Sequence, residues 1–201
     1  MRMYGYGEDS LTLWALRHRL DLILKAFDDT TPPANCQVFY RPSFGRSGGE
    51  NSSQFGEFDF IVLSKRHLYL GESKWDRSSL KTVNGVLELE GVQARRHEIF
   101  KAYIKHWAFG EYRDWEVFSE EAESLIGRPI PGKDSLLASN LQTVLGTIRE
   151  YYASEPTPVD MLLYFHRGED AEQVPQEASD GFKLVCMEYE TALGSRIDLE
   201  M

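Results

Sequence analysis

The sequence predicts an α/β fold, with a mixed central β-sheet flanked by helices. Three observations predict it. An amphipathic helical pattern opens the chain, three strand-like runs follow before the next long helical pattern, and two further apolar runs come after a third helical stretch. The order is α-β-β-β-α, an acidic helical insertion, then β-β. Strands grouped between helices, rather than alternating with them singly, give a sheet of mixed direction.

Taken in order, Gly7-Glu8-Asp9-Ser10 reads as a helix start, with acids and a small polar cap near the first turn. Leu13, Leu16, Leu20, Leu24 and Phe27 recur every three or four residues and predict one amphipathic helix to about Phe27. Thr30-Thr31-Pro32-Pro33 ends it, and Cys36 to Tyr40 reads as a short strand. Arg41 to Gln54 carries Pro42, Gly45, Gly48 and Gly49 and is predicted to be a long loop. Phe55–Leu63 and His67–Trp75 are strands joined by Ser64-Lys65-Arg66, which predicts an antiparallel hairpin. Asn84-Gly85 marks a turn. From Leu89 to Phe109 the pattern is helical, with Val92, Ile99, Tyr103 and Trp107 on a basic background of Arg95, Arg96, Lys101 and Lys105, and Gly110 closes it.

Residues 111–133 are acidic, are punctuated by Pro129 and Pro131, and read as an insertion with one short helix within a single domain spanning 1–201. Asp134–Tyr152 is a helix with a stripe of Leu136, Leu137, Leu141, Val144, Leu145 and Ile148. Val159–His166 and Phe182–Glu188 are strands.

The net charge is −10, unevenly spread. Residues 1–34 carry a net −1, residues 35–110 a net +3 and residues 111–201 a net −12. The acidic C-terminal half keeps the protein soluble or meets a basic partner, and the middle segment is mildly basic. Cys36 and Cys186 stand alone, away from any CxxC pair or histidine cluster, so zinc and iron–sulfur chemistry have little support. With no signal-like apolar segment and no run of transmembrane length, a cytoplasmic protein without a membrane partner is expected. No GxGxxG, P-loop or GxSxG motif is present.

One stretch departs from ordinary strand composition. "FGEFDFIVLSKRHLYLGESKWD", Phe55 to Asp76, places Asp59 in one apolar run and Glu72 and Lys74 in the next. Residues two apart on a strand share a face, so Leu68, Leu70, Glu72 and Lys74 point one way. A hairpin can bring Asp59 to the end of the second strand, beside Glu72 and Lys74. Two close carboxylates repel unless a cation lies between them. Magnesium takes one or two carboxylates together with water and phosphate oxygens, and a lysine beside it can hold or deprotonate water. A solvated surface ion pair would use the same residues, but the flanking Phe58, Phe60, Ile61, Val62, Tyr69 and Leu70 favour burial and a built site.

These residues, Gly56-Glu57-Phe58-Asp59-Phe60 followed by Gly71-Glu72-Ser73-Lys74, resemble the PD-(D/E)XK nuclease superfamily, with its restriction-endonuclease-like α-β-β-β-α-β core. The likeness covers roughly residues 7–109 and the strand at Val159–His166. Phe58 stands where many members have proline. The resemblance implies that Asp59 and Glu72, with the Ser73 carbonyl, hold Mg²⁺ or Mn²⁺, and that Lys74 positions the attacking water. Members often add an acid from the first helix, here Glu8 with Asp9 as rival, although an acid stabilising a helix N-terminus accounts for Glu8 equally well. Members related to RecB-type enzymes often carry a glutamine on the helix after the ExK strand, here Gln93, for which a solvated helix position is the slightly favoured alternative. Arg95, Arg96 and Arg46 are weaker candidates for phosphate contacts. Nucleases of this fold often work as dimers.

Two readings follow. One is a metal-dependent nuclease acting on nucleic acid, with DNA expected, in repair, recombination or defence. The other is a catalytically inactive domain that kept the fold to bind nucleic acid or protein. The five histidines show no ligand spacing, and Trp14, Trp75, Trp107 and Trp115 read as core, with Trp75 left open as a base-stacking surface because it follows Lys74.

Overall fold

A computed structural model describes residues 3–45, 55–76, 82–168, 174–190 and 196–199. Along the chain run strand β1 (Tyr4–Gly5), helices α1 (Gly7–His18) and α2 (Leu20–Lys25), and strands β2 (Gln37–Tyr40), β3 (Ser43–Phe44), β4 (Gly56–Glu57), β5 (Phe60–Leu63), β6 (Leu68–Trp75), β7 (Thr82–Val83) and β8 (Val86–Leu87). Helix α3 (Gly91–Tyr103) continues into a π-helical turn, Ile104–Ala108. Then come α4 (Trp115–Glu121), α5 (Glu123–Ile126), α6 (Leu136–Tyr151), β9 (Pro158–His166), β10 (Glu177–Ala178), β11 (Lys183–Glu188) and β12 (Ile197–Asp198). The protein is mixed α/β, as predicted.

The chain divides into two compact units. The first comprises residues 1–40, 59–90 and 159–201 and holds a five-stranded sheet of order β11-β9-β6-β5-β2. β2, β5 and β6 pair antiparallel, whereas β9 and β11 pair parallel, so the sheet is mixed. The expected hairpin is present: Leu63 pairs with Leu68 and Phe60 with Gly71. Its core is built from Leu11, Ala15, Leu16, Leu20, Ile23 and Leu24 of the two helices against Phe60, Val62, Tyr69, Met161, Leu163, Phe165, Val185 and Met187 of the sheet. Burying such side chains contributes about 1.5–3 kcal/mol each, which is what holds α1 and α2 to the strands. Asn84 and Gly85 take positive φ (52° and 81°) and close the β7–β8 hairpin in two residues, the conformation an Asn-Gly pair favours.

The second unit comprises residues 41–58 and 91–158. β3, inside the stretch read as a loop, forms a two-stranded ladder with β4, which lies in the run read as a strand; residues 46–54 of the loop stretch lie outside the described residues. An aromatic core runs through it. Phe44 stacks with Phe55 and Phe100, and Tyr103 stacks with Phe55 and Trp115. Among the described residues the acidic 111–133 stretch carries two short helices rather than one. Ser135 caps α6 by accepting from the Ala138 N–H, so this helix starts at Leu136 and not at Asp134.

Three expectations need correction. The first helix is not continuous to Phe27: it breaks at Arg19 (φ −136°, ψ 15°) into α1 and α2. The Phe55–Leu63 run is two strands parted by a bend at Phe58-Asp59. The apolar stripes of α3 and α6 are displaced at their starts, with Val92 and Leu136 68% and 78% exposed.

Candidate functional site

Of the residues singled out from sequence, Asp59 contacts Ser73 and Glu8 contacts Lys74, both toward the end of β6. Continuing the β5–β6 register one residue past the Phe60–Gly71 pair sets Asp59 opposite Glu72. The chain bends at Asp59, so its side chain folds back onto the neighbouring strand, and Asp59 Oδ2 accepts the Ser73 N–H at 2.7 Å. A carboxylate thus stands where a sheet ladder would place a carbonyl. Glu72 is 1% exposed, an unusual position for a carboxylate. Gly71 is tightly covered: a Cβ there would lie 2.0 Å from the Phe60 ring, so a larger residue before Glu72 would force that ring away.

Lys74 is largely buried and its Nζ lies 3.4 Å from Glu8 Oε1, in the first turn of α1. The Glu8 carboxyl is pushed up to about 7. Loss of solvent is the largest cause, and the charges of Asp59 and Asp9 add to it against the opposing pull of Lys74. Glu8 therefore feels both the acid on the β5 side and the ammonium on β6. Thr12 Oγ1 donates to the Glu8 carbonyl at 2.8 Å and helps fix this turn. The expected small polar N-cap is not used: Tyr6 is the capping residue and makes no side-chain cap, while Ser10 Oγ donates back to the Tyr6 carbonyl.

Asp59 and Glu72 offer carboxylate oxygens and Ser73 a carbonyl oxygen, the donor type that a hard divalent cation takes. Among the described residues no three His, Cys, Asp or Glu side chains group closely enough to hold a metal. Glu8 therefore does not complete a three-carboxylate set with Asp59 and Glu72, and its closest described partner is Lys74.

The end of β6 is anchored by a residue that sequence reasoning missed. Asp76 N donates to the Phe165 carbonyl at 2.8 Å, Asp76 Oδ2 accepts the Arg167 N–H at 3.1 Å, and Asp76 Oδ1 accepts the Tyr189 hydroxyl at 3.0 Å. These three bonds tie the residues just after Lys74 to the neighbouring strand β9 and the exit of β11. Asp76 lay inside the singled-out stretch, and an acid closing an apolar strand was the available signal.

The weaker candidates belong to the second unit. Gln93 is buried, 8% exposed, which overturns its reading as a solvated helix residue. His97, one turn further along α3, is fully buried and packs on Phe58 at 4.8 Å. Arg96 donates to the Glu57 carbonyl, and its guanidinium lies 5.9 Å from the centre of the Phe58 ring, so it holds β4 and the start of the bend. Arg95 is exposed. Arg46 lies outside the described residues. No helix among the described residues is long and apolar enough to cross a membrane.

Comparison with protein-family models, curated proteins and solved structures finds no match.

Proposed function

We propose that the protein is a metal-dependent nuclease that hydrolyses phosphodiester bonds in nucleic acid, DNA foremost, on a restriction-endonuclease-like fold. The observation that carries this reading is the Asp59 carboxylate held on the Ser73 N–H, between the buried Glu72 and Lys74 on β6. The antiparallel β2–β5–β6 meander after α1 supports the fold assignment.

Asp59, Glu72 and the Ser73 carbonyl would hold Mg²⁺ or Mn²⁺, which when bound neutralises phosphate charge and makes water a better nucleophile. The Ser73 N–H fixes one oxygen of Asp59 and so orients the other. Lys74 positions the attacking water or the phosphate oxygen by donating from its ammonium. Glu8 restrains that ammonium, and its raised affinity for a proton lets it give or take one near neutral pH.

A second reading, an inactive domain of this fold that binds nucleic acid or protein, draws on the Lys74–Glu8 pair, which already engages the ammonium. A panel of labelled single-stranded and duplex DNA and RNA, incubated with increasing Mg²⁺ or Mn²⁺, separates the two. The nuclease reading expects metal-dependent cleavage that Asp59→Asn or Glu72→Gln lowers at least 100-fold, on the order of a lost charge-stabilising group. Binding without cleavage of any member would favour the second.

A further inference from the structure

Three aromatic side chains from separate segments converge on the first turn of α1, beside the Glu8–Lys74 pair. Tyr6 lies just before the helix and is 60% exposed, and a Cβ on the following Gly7 (φ +81°) would itself meet open space. Its ring meets Trp75, the residue after Lys74, edge to face at 5.7 Å. Tyr40, at the end of β2 and also exposed, donates its hydroxyl to the Asp9 carbonyl at 2.8 Å. Trp75 packs partly on the core, so the fold accounts for it. Core packing does not account for Tyr6, which is 60% exposed, stands two residues before Glu8 and meets Trp75, the residue after Lys74, so that its contact lies beside the Glu8–Lys74 pair in both segments.

We propose that Tyr6, backed by Trp75, is a stacking subsite for an unpaired nucleobase, so that the substrate is single-stranded nucleic acid or a strand frayed at the point of cleavage. The inference rests on the reading of Asp59, Glu72 and Lys74 as the phosphodiester site. An apolar peptide covering Tyr6 would strip water from the charged groups beside it without replacing their partners. A nucleobase offers a flat face to the ring, keeps polar edges in water, and carries a phosphate that can reach the Lys74 ammonium. A base inside a duplex is already stacked on both faces and cannot serve, so the subsite selects for unpaired strands.

The test measures binding of a fluorescein-labelled single-stranded oligonucleotide, and of a blunt hairpin duplex of the same sequence, to the full chain in metal-free buffer, so that nothing is cut. Adding Tyr6→Ala is expected to weaken single-strand binding by about 5- to 150-fold, the range of one lost base–aromatic stack. Tyr6→Phe stays within about twofold of the parent, and the duplex is unaffected. Placing abasic sites along the strand should reproduce the loss at one position only. Unchanged single-strand binding in Tyr6→Ala, equal losses on strand and duplex, or no single-strand binding by the parent would each overturn the subsite. The nuclease reading fails separately. If the unsubstituted chain cuts nothing but the Tyr6 dependence persists, the subsite stands without catalysis. If cleavage needs Asp59 and Glu72 but ignores Tyr6, catalysis stands without the subsite.

Discussion

The Lys74 ammonium on β6 and the Glu8 carboxylate on α1 lie 3.4 Å apart across 66 residues of sequence, and the Glu8 carboxyl is pushed up to about 7. The contact joins the strand end that carries Glu72 to the helix start that carries the exposed Tyr6.

The pair makes stability depend on pH in a defined direction. A carboxyl whose proton affinity is higher folded than unfolded favours the fold below its ordinary range, and that contribution is lost as pH rises through about 7. Glu8→Gln should therefore raise Tm relative to the parent above pH 7 in metal-free buffer, with the gain vanishing below about pH 4.5, the ordinary carboxyl value. Thermal unfolding from pH 4 to 8 checks this; a difference that does not change with pH would contradict it.

Arg95 and Arg96 should behave differently although they are neighbours on α3. Arg95 is exposed, so Arg95→Glu should weaken nucleic-acid binding and flatten its salt dependence by about one unit of log–log slope if it meets a phosphate. Arg96 holds the Glu57 carbonyl and covers Phe58, so Arg96→Glu should lower stability, by about 1.5–3 kcal/mol for a lost charge-assisted bond. Denaturant unfolding beside binding titrations at several salt concentrations distinguishes them, and a fully stable Arg96→Glu would refute the anchoring role.

Asp29 should be a stability residue with acid sensitivity. It is 4% exposed, and its carboxylate accepts from Ser64 Oγ at 2.5 Å, Tyr69 OH at 2.8 Å and the Thr31 N–H at 2.9 Å. Burial works to raise its proton affinity, but these bonds outweigh it and the net shift is downward. The stabilisation is present above the ordinary carboxyl range and disappears as pH falls through the lowered value. Asp29→Ala should cost about 1.5–3 kcal/mol at pH 7 and much less in acid, where the parent has lost the same bonds. Equal costs at both ends of the pH range would rule this out.

Much of this was legible because the hairpin announces itself. Apolar runs on both sides of Ser64-Lys65-Arg66 set the register, and strand periodicity then put Glu72 and Lys74 on one face and Asp59 near them. The break at Arg19 was not legible, since the three-four spacing of leucines runs through it and φ there is set by how α1 and α2 each meet the sheet. Gln93 misled because a polar side chain on a basic helix reads as solvated, and its burial depends on residues distant in sequence. Asp29 sat in Asp28-Asp29-Thr30-Thr31, a run that looks like loop chemistry. The local Asp29–Thr31 turn could have been read from it, but the bonds to Ser64 and Tyr69 span 35 and 40 residues. The aromatic ring around α1 was half visible: Trp75 was left open, but nothing in the sequence linked it to Tyr6.

The most direct test of the nuclease account measures turnover and metal binding together in Lys74→Ala. On the proposed nuclease reading the carboxylates and a carbonyl hold the divalent cation, whereas orienting the attacking water needs the amine. Calorimetry should therefore show Mg²⁺ binding within a few-fold of the parent, while cleavage of the best substrate falls by about 100-fold or more, the scale of a lost acid–base or positioning group. Full turnover in Lys74→Ala would contradict the account.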